Sequence, residues 1–337
     1  MKKGKFAWAI AYGTVLCGFT AFVLLDTFTL PKAYDTDATE MNLSLFDDVK
    51  AAEETETEAA TETATEKSHK KSHGRSDTAE TESVETATAA AAEAVSSGSS
   101  YSDENITIEL TEYYENNTTI YVADIQLSSA EYLKTAFASD TYGKNVTAKT
   151  SETAESKNAV LAINGDYYGA KESGYVIRNG ILYRGTGSDD TDVLCIYADG
   201  HFEITNSSEK SAQELIDEGV WQAFSFGPAL SENGEISVSE GEEVGKAMAS
   251  NPRTAIGIID DLHYVFVVSD GRTNASEGLS LSQLAEFMQK LGVQTAYNLD
   301  GGGSSTMYFN GEVINNPTTS GKSIKERSVS DIVYIGY

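Results

Sequence analysis

The chain has 337 residues, a formal net charge of −28 and two cysteines. So acidic a chain offers no basic surface for a phosphate backbone, which argues against a nucleic-acid partner. Cys17 lies in an apolar terminal stretch and Cys195 in an internal apolar run; with no CxxC and no Cys/His cluster, neither a disulfide nor a structural zinc site is expected.

Lys2, Lys3 and Lys5 open the chain, and residues 6–25 then run without a charge. That length matches a helix spanning a bilayer, and it exceeds the apolar region of about 7–15 residues usual in a cleaved signal peptide. Residues 1–25 are therefore expected to form a cytoplasmic stub and an uncleaved, single-pass membrane anchor. The lysines place the N-terminus inside and the remainder of the chain outside the cell.

Residues 26–104 carry 19 acidic and 6 basic residues and are rich in Glu, Thr, Ala and Ser. Such a composition buries too little apolar surface to offset its ordering entropy, so a disordered acidic linker is expected. A flexible coil of this length reaches roughly 50 Å and would hold the following domain away from the bilayer. The patch at residues 67–73, SHKKSH with its preceding lysine, is read as solvated rather than as a metal or polymer site.

Residues 105–337 are expected to fold as one catalytic domain. Residues 106–110 and 119–127 alternate apolar and polar, as half-buried strands do. Asn179-Gly180, Asp199-Gly200, Asn233-Gly234 and Asn310-Gly311 each lie between β-forming runs and suit the positive φ angles of tight hairpins. Helices are few. Ser280 to Gln283 reads as a capping box opening a helix over residues 281–291, with Gly292 just past its end. Ser211 opens a shorter helix ending near Gly219, and Ser128 a third through Phe137. The expected fold is α+β: strand-rich, with mixed or antiparallel sheets and a few helices.

Three apolar strands run into Asp beside Gly, at Asp166, Asp270 and Asp300. Charged groups are rarely buried without partners, so strand-end carboxylates are turn formers or site residues. Asp300 is the strongest candidate. Gly301, Gly302 and Gly303, followed by Ser304, Ser305 and Thr306, cost too much entropy for an ordinary turn and offer successive N–H groups to an anion. Asn164 and Gly165 end another apolar strand. Arg253, in Asn251-Pro-Arg-Thr-Ala-Ile-Gly257, supplies a planar cation suited to phosphate or carboxylate, or a salt bridge to Asp270 or Asp300. A Ser-His-Asp triad is improbable, because residues 105–337 hold only His201 and His263. No Walker A loop follows the glycines, and no cofactor is expected.

Together these stretches resemble the phosphodiester glycosidase family over residues 158–333. The resemblance rests on Ile163-Asn164-Gly165, Phe226-Gly227-Pro228, Pro252-Arg253-Thr254-Ala255-Ile256-Gly257, Asp270-Gly271, the helix at 281–291, the run Asn298-Leu-Asp-Gly-Gly-Gly-Ser-Ser-Thr306, and Glu326-Arg327. It implies hydrolysis of a sugar-1-phosphodiester at the bond between the anomeric carbon and the phosphate oxygen. Asp300, then Asp270, would serve the sugar, with Arg253 also catalytic. Asn164, Gly165, Asn298, Arg327 and residues 301–305 would hold substrate and phosphate. The position of Asp166 is often small in this family, and Glu277 falls in a variable loop, so neither receives a role. The cysteine-rich region of the animal members is absent, and a cell-envelope or exopolysaccharide glycan is the expected substrate. Two other readings remain open: a metal-dependent phosphoesterase using Asp166, Asp270 and Asp300, and a non-catalytic binder of envelope polymers.

Overall fold

Three antiparallel sheets share a single core in the computed structural model, which describes residues 7–34, 41–47, 49–50, 94–96, 100–188, 191–239 and 250–337. The largest sheet runs in the order Glu235–Ile236, Ala229–Glu232, Thr295–Asn298, Arg253–Asp260, His263–Ser269, Thr118–Leu127, Ile106–Glu115, with Ala94–Ser96 and Ser100–Ser102 both pairing the last. A second sheet orders Ile181–Arg184, Val176–Arg178, Val220–Phe224, Asp192–Tyr197 and Phe202–Asn206. A third orders Glu312–Val313, Met307–Phe309, Leu161–Asn164, Asp331–Ile335 and Leu133–Phe137.

The inner faces meet through Ile108, Ile125 and Phe266 of the first sheet, Leu194 and Phe224 of the second, and Ile163 and Val333 of the third. Each outer face is closed by one helix. Leu281–Lys290 packs Leu284 and Met288 on Val265 and Val267. Ala212–Asp217 packs Leu215 on Cys195 and Ala223, and Thr150–Ser156 packs Ala154 on Ala162 and Ile332. A strand between core and helix is apolar on both faces, which is why His263–Ser269 is buried almost throughout. Ile106–Glu115, nearer the sheet edge, alternates.

The fold is thus α+β with all described strand pairs antiparallel. The dipeptides Asn179-Gly180, Asp199-Gly200, Asn233-Gly234 and Asn310-Gly311 all sit in hairpin turns, and Asn179, Asn233 and Asn310 take positive φ there. The helix capped by Ser280 spans Leu281–Lys290, one residue short of the expected 281–291, with Leu291 as its C-cap and Gly292 at φ +83°. Residues 128–137 do not form a helix. Ser129 Oγ accepts from Glu131 N and caps one 3-10 turn, Ala130–Tyr132; the chain then extends as Leu133–Phe137 along Asp331–Ile335. Leu133, Thr135 and Ala136 find buried places in the third sheet, and that pairing overrides the local cap.

The N-terminal apolar helix spans Ala7–Phe28, and its residues 11–28 have the length and composition of a membrane anchor or a signal sequence. The linker expected over residues 26–104 is tied to the domain at its near end. Lys32–Ala33 pairs with Gly143–Lys144, Asn42 N donates to Asn179 O at 3.0 Å, and buried Phe46 meets Trp221 edge to face at 4.9 Å. Averaged composition hid these anchors. The basic patch at 67–73 and the remainder of 51–93 lie outside the described residues.

Candidate active site

Residues 298–306 carry the chain from the largest sheet to the third. They follow Thr295–Asn298 and lead into Met307–Phe309, which pairs with Leu161–Asn164. Leu299 N donates to Thr254 O at 2.9 Å and Asp300 N to Gly165 O at 3.3 Å, so the crossover is stitched to both sheets. Asn164 completes the stitching. Its Nδ2 donates to Asp300 O at 2.6 Å, and its Oδ1 accepts from Thr254 Oγ1 at 2.8 Å and Thr306 N at 3.2 Å. Asn164 is fully buried with its amide engaged, so it positions Asp300 from behind. A Cβ on Gly165 would overlap the carboxylate of Asp331, an approach open only to glycine.

In front of the crossover lies a cleft of about 220 Å³. Arg253, Arg272, Arg327, Asn298, Asp300 and Phe226 line it, with Asn251, Leu299, Gly301 and Gly302 completing the wall. Arg327 Nη2 donates to Asp300 Oδ2 at 2.9 Å, and its Nε and Nη2 reach Ser304 Oγ at 2.8 and 2.6 Å. Arg253 begins its strand with Nε donating to Leu279 O at 2.9 Å. Arg272 is held by Asn251 Oδ1 at 2.8 Å and Thr319 O at 2.6 Å, and its backbone has a strained φ of +61°. Asn298 Nδ2 donates to Gly227 O at 2.8 Å, while its buried Oδ1 has no hydrogen-bond partner among the described residues.

Charge in this cleft is set by burial. Desolvation raises the Asp300 carboxyl above its ordinary value; Arg327, Ser304 and the Gly301 N–H act in the opposite sense. Desolvation lowers the Arg272 guanidinium, and the like charge of Arg327 lowers it further. Among the described lining residues, three guanidinium groups stand with one carboxylate.

The three strand-end aspartates do not converge. Asp270 lies outside the cleft lining and fastens the loop after Glu312–Val313: its Oδ1 accepts from Asn316 N at 2.8 Å, and its Oδ2 from Asn316 Nδ2 at 2.9 Å. Asp166 accepts from Arg178 Nη2 at 2.9 Å and Ser225 N at 2.9 Å. Arg178 also donates its Nε to Asp331 Oδ2 at 2.9 Å, making a fully buried arrangement of two carboxylates and one guanidinium. Among the described residues no group of three or more His, Cys, Asp or Glu is placed to hold a metal.

The expected amide cradle also takes a different form. Gly302 N donates to Pro252 O at 2.8 Å, Ser304 N to Gly301 O at 3.3 Å and Ser305 N to Gly302 O at 3.3 Å. These amides close a 3-10 turn, Gly302–Ser304, rather than facing the cleft. The glycines instead make room. A Cβ on Gly302, at φ +63°, would stand 2.9 Å from Arg272 Nη2, and one on Gly301 2.8 Å from Pro252 O. Ser304 reaches the site through its hydroxyl, whereas Gly303 and Ser305 are buried behind it. The expected residues brought to one cleft are therefore Asp300, Arg253, Arg327, Asn298, Gly301 and Gly302. Arg272 was the unrecognised member, although it stands two residues after a strand-end aspartate.

A family model described as phosphodiester glycosidase matches residues 157–336, more than half of the chain. The chain is 29% identical over 189 residues to the SPbeta prophage-derived uncharacterized protein YomE of Bacillus subtilis, covering 55% of this chain and 29% of that protein. It is 27% identical over 185 residues to N-acetylglucosamine-1-phosphodiester alpha-N-acetylglucosaminidase of Mus musculus and of Homo sapiens, covering 51% of this chain and 36% of each relative. The chain thus spans about a third of the length of these relatives. The solved catalytic domain of the zebrafish N-acetylglucosamine-1-phosphodiester alpha-N-acetylglucosaminidase, auto-inhibited by its pro-peptide, matches with a TM-score of 0.56 and 21% identity. That match covers 72% of this chain and 87% of the other, and it shows a shared fold.

Proposed function

The chain belongs to the phosphodiester glycosidase family, and from that membership we propose that it hydrolyses a sugar-1-phosphodiester between the anomeric carbon and the phosphate oxygen. The observation that carries this reading is the meeting, among the described residues of one cleft, of the buried carboxylate Asp300 with Arg327 at 2.9 Å and with Arg253 and Arg272 in the same lining. An ordinary glycosidase needs two carboxyl groups, one of them to protonate a poor alkoxide leaving group. A phosphate ester leaves readily once its charge is neutralised, so a cleft built from arginines around one carboxylate suits this bond better.

Arg253, Arg272 and Arg327 hold the phosphate, and Asp300 faces the sugar. As the C1–O bond lengthens, positive charge grows at the anomeric carbon and negative charge at the phosphate. Asp300 stabilises the first, either by direct attack or by activating water, and the guanidinium groups stabilise the second. The open Oδ1 of Asn298 accepts from a sugar hydroxyl or amide N–H. In this reading the helix at Ala7–Phe28 is an anchor, the domain is extracytoplasmic and the substrate is an envelope or exopolysaccharide glycan.

The test is the full chain assayed on sugar-1-phosphodiesters, α-N-acetylglucosamine-1-phosphodiester among them. Asp300→Asn is expected to lower kcat by about 10³-fold, as removal of a preorganised charge does, with Tm nearly unchanged. Folded protein that releases sugar from none of them, or an Asp300→Asn variant of full activity, contradicts the reading. A metal-dependent phosphoesterase would need Asp166, Asp270 and Asp300 together, and their separate partners do not support it. A non-catalytic binder would show affinity for such diesters without turnover.

A further inference from the structure

Residues 27–34 do not release the catalytic domain from the apolar helix. Asn145 Nδ2 donates to Leu30 O at 3.3 Å and to Thr27 O at 3.4 Å, so one side chain grips the end of that helix. Lys32–Ala33 then adds a short strand to Gly143–Lys144, and Tyr34 N donates to Tyr142 O at 2.9 Å. The domain is therefore held at the helix end.

The gripped segment leads directly to the cleft. Asn145 N donates to Gly169 O at 3.0 Å, and Lys144 pairs with Glu172, placing the turn at 167–172 against the grip. From that turn Lys171 Nζ donates to Ser225 O at 2.9 Å and stands 4.8 Å over the ring of Phe226, a residue of the cleft wall. Lys171 also feels the charge of Asp300. Leu30, Tyr34 and Tyr167 are exposed on these same connected segments. Tyrosines at the end of an apolar span suit the headgroup layer.

We propose that the cleft works at the bilayer surface, on a sugar-1-phosphodiester whose phosphate-side alcohol is a membrane lipid. This deepens the glycosidase reading and rests on it, together with the reading of Ala7–Phe28 as an anchor. The water oxygen bonds to C1, and the C1–O bond breaks with its electron pair passing to the phosphate oxygen. The water proton is lost to solvent. The sugar departs as a free hemiacetal, and the lipid stays in the membrane as a phosphate monoester. No further reactant is needed. Confinement of enzyme and substrate to one surface raises their effective concentration.

The test uses the full chain reconstituted in phosphatidylcholine/phosphatidylglycerol vesicles. Two substrates carry the same sugar-1-phosphate head, one esterified to a long-chain lipid in the vesicle and one to a short water-soluble alcohol. The lipid-borne diester is expected to turn over about tenfold faster at equal bulk concentration. A rigid helical spacer of about 20 residues inserted between Phe28 and Thr29 would lift the domain by about 30 Å. It should cut lipid-borne turnover about tenfold and leave soluble turnover within about twofold. As a second measurement, an environment-sensitive dye on Tyr167→Cys, in a Cys17→Ser chain, should be quenched by headgroup-labelled lipid. Equal rates on the two substrates, a spacer variant with undiminished lipid-borne turnover, or an unquenched dye each overturn the proposal while soluble turnover keeps the glycosidase reading. Release of sugar from neither substrate removes the glycosidase reading and the proposal together.

Discussion

Asp300 carries the sharpest charge conflict in the cleft. Burial favours its neutral form, and Arg327, 2.9 Å away, favours the carboxylate. In the proposed mechanism the ionised form is active, so the acidic limb of kcat/KM should lie above the ordinary carboxylate range. Arg327→Ala removes a cause that lowers the Asp300 pKa. The limb of the residual activity should then move to still higher pH, with kcat/KM reduced by roughly 10–100-fold, the worth of one charge-assisted hydrogen bond. A pH–rate profile checks both. An unmoved limb would show that another group sets it. Asp300 and Arg253 could be read from the sequence because an apolar strand and a glycine or proline flanked each. Arg272 stood in an equally marked stretch, but nothing local announced that its backbone would turn to positive φ and aim the side chain at Gly302.

The strand Asp331–Ile335 opens with a group that no local pattern reveals. Asp331 is fully buried, shares Arg178 with Asp166, and has its carboxyl pushed up to about 7, chiefly by desolvation. An unfolded chain releases this proton near its ordinary value of 3.8, while the folded chain keeps it. Over the interval between those values the unfolded state binds fewer protons, so this group's contribution to stability is fully present below it and is lost as pH rises through it. Thermal melts from pH 4 to pH 8 on the wild type and Asp331→Asn should show the wild type losing stability relative to the variant across that window. Parallel curves would contradict the account. Elements with local chemistry were legible: the hairpins at Asn179, Asp199, Asn233 and Asn310, the Ser280 capping box and the helix opened by Ser211 stand where expected. Leu133–Phe137 was not, because its pairing with Asp331–Ile335 joins residues some two hundred apart in the chain.

At the scale of the molecule, two fields oppose each other. The chain carries −28 overall, yet among the described residues its cleft lining holds three guanidinium groups and one carboxylate. Repulsion of an anionic substrate acts from afar and is screened once the Debye length falls to about 8 Å, near 0.15 M salt. Contacts inside the cleft survive to higher salt. For a soluble phosphodiester, kcat/KM should therefore rise between about 0.01 and 0.15 M salt and fall toward about 1 M. A fall from the outset would mean that the local field dominates throughout. Composition exposed the global charge and the apolar terminal helix. It could not expose Phe46 or Lys32–Ala33, whose apolar and pairing contacts were diluted in an acidic average.

Hydrolysis in H2¹⁸O identifies which bond of the phosphodiester breaks. Cleavage between the anomeric carbon and the phosphate oxygen puts ¹⁸O in the released sugar, trapped at once by reduction, and leaves the phosphate product unlabelled. Label in the phosphate, with an unlabelled sugar, would mean attack at phosphorus and would contradict the account.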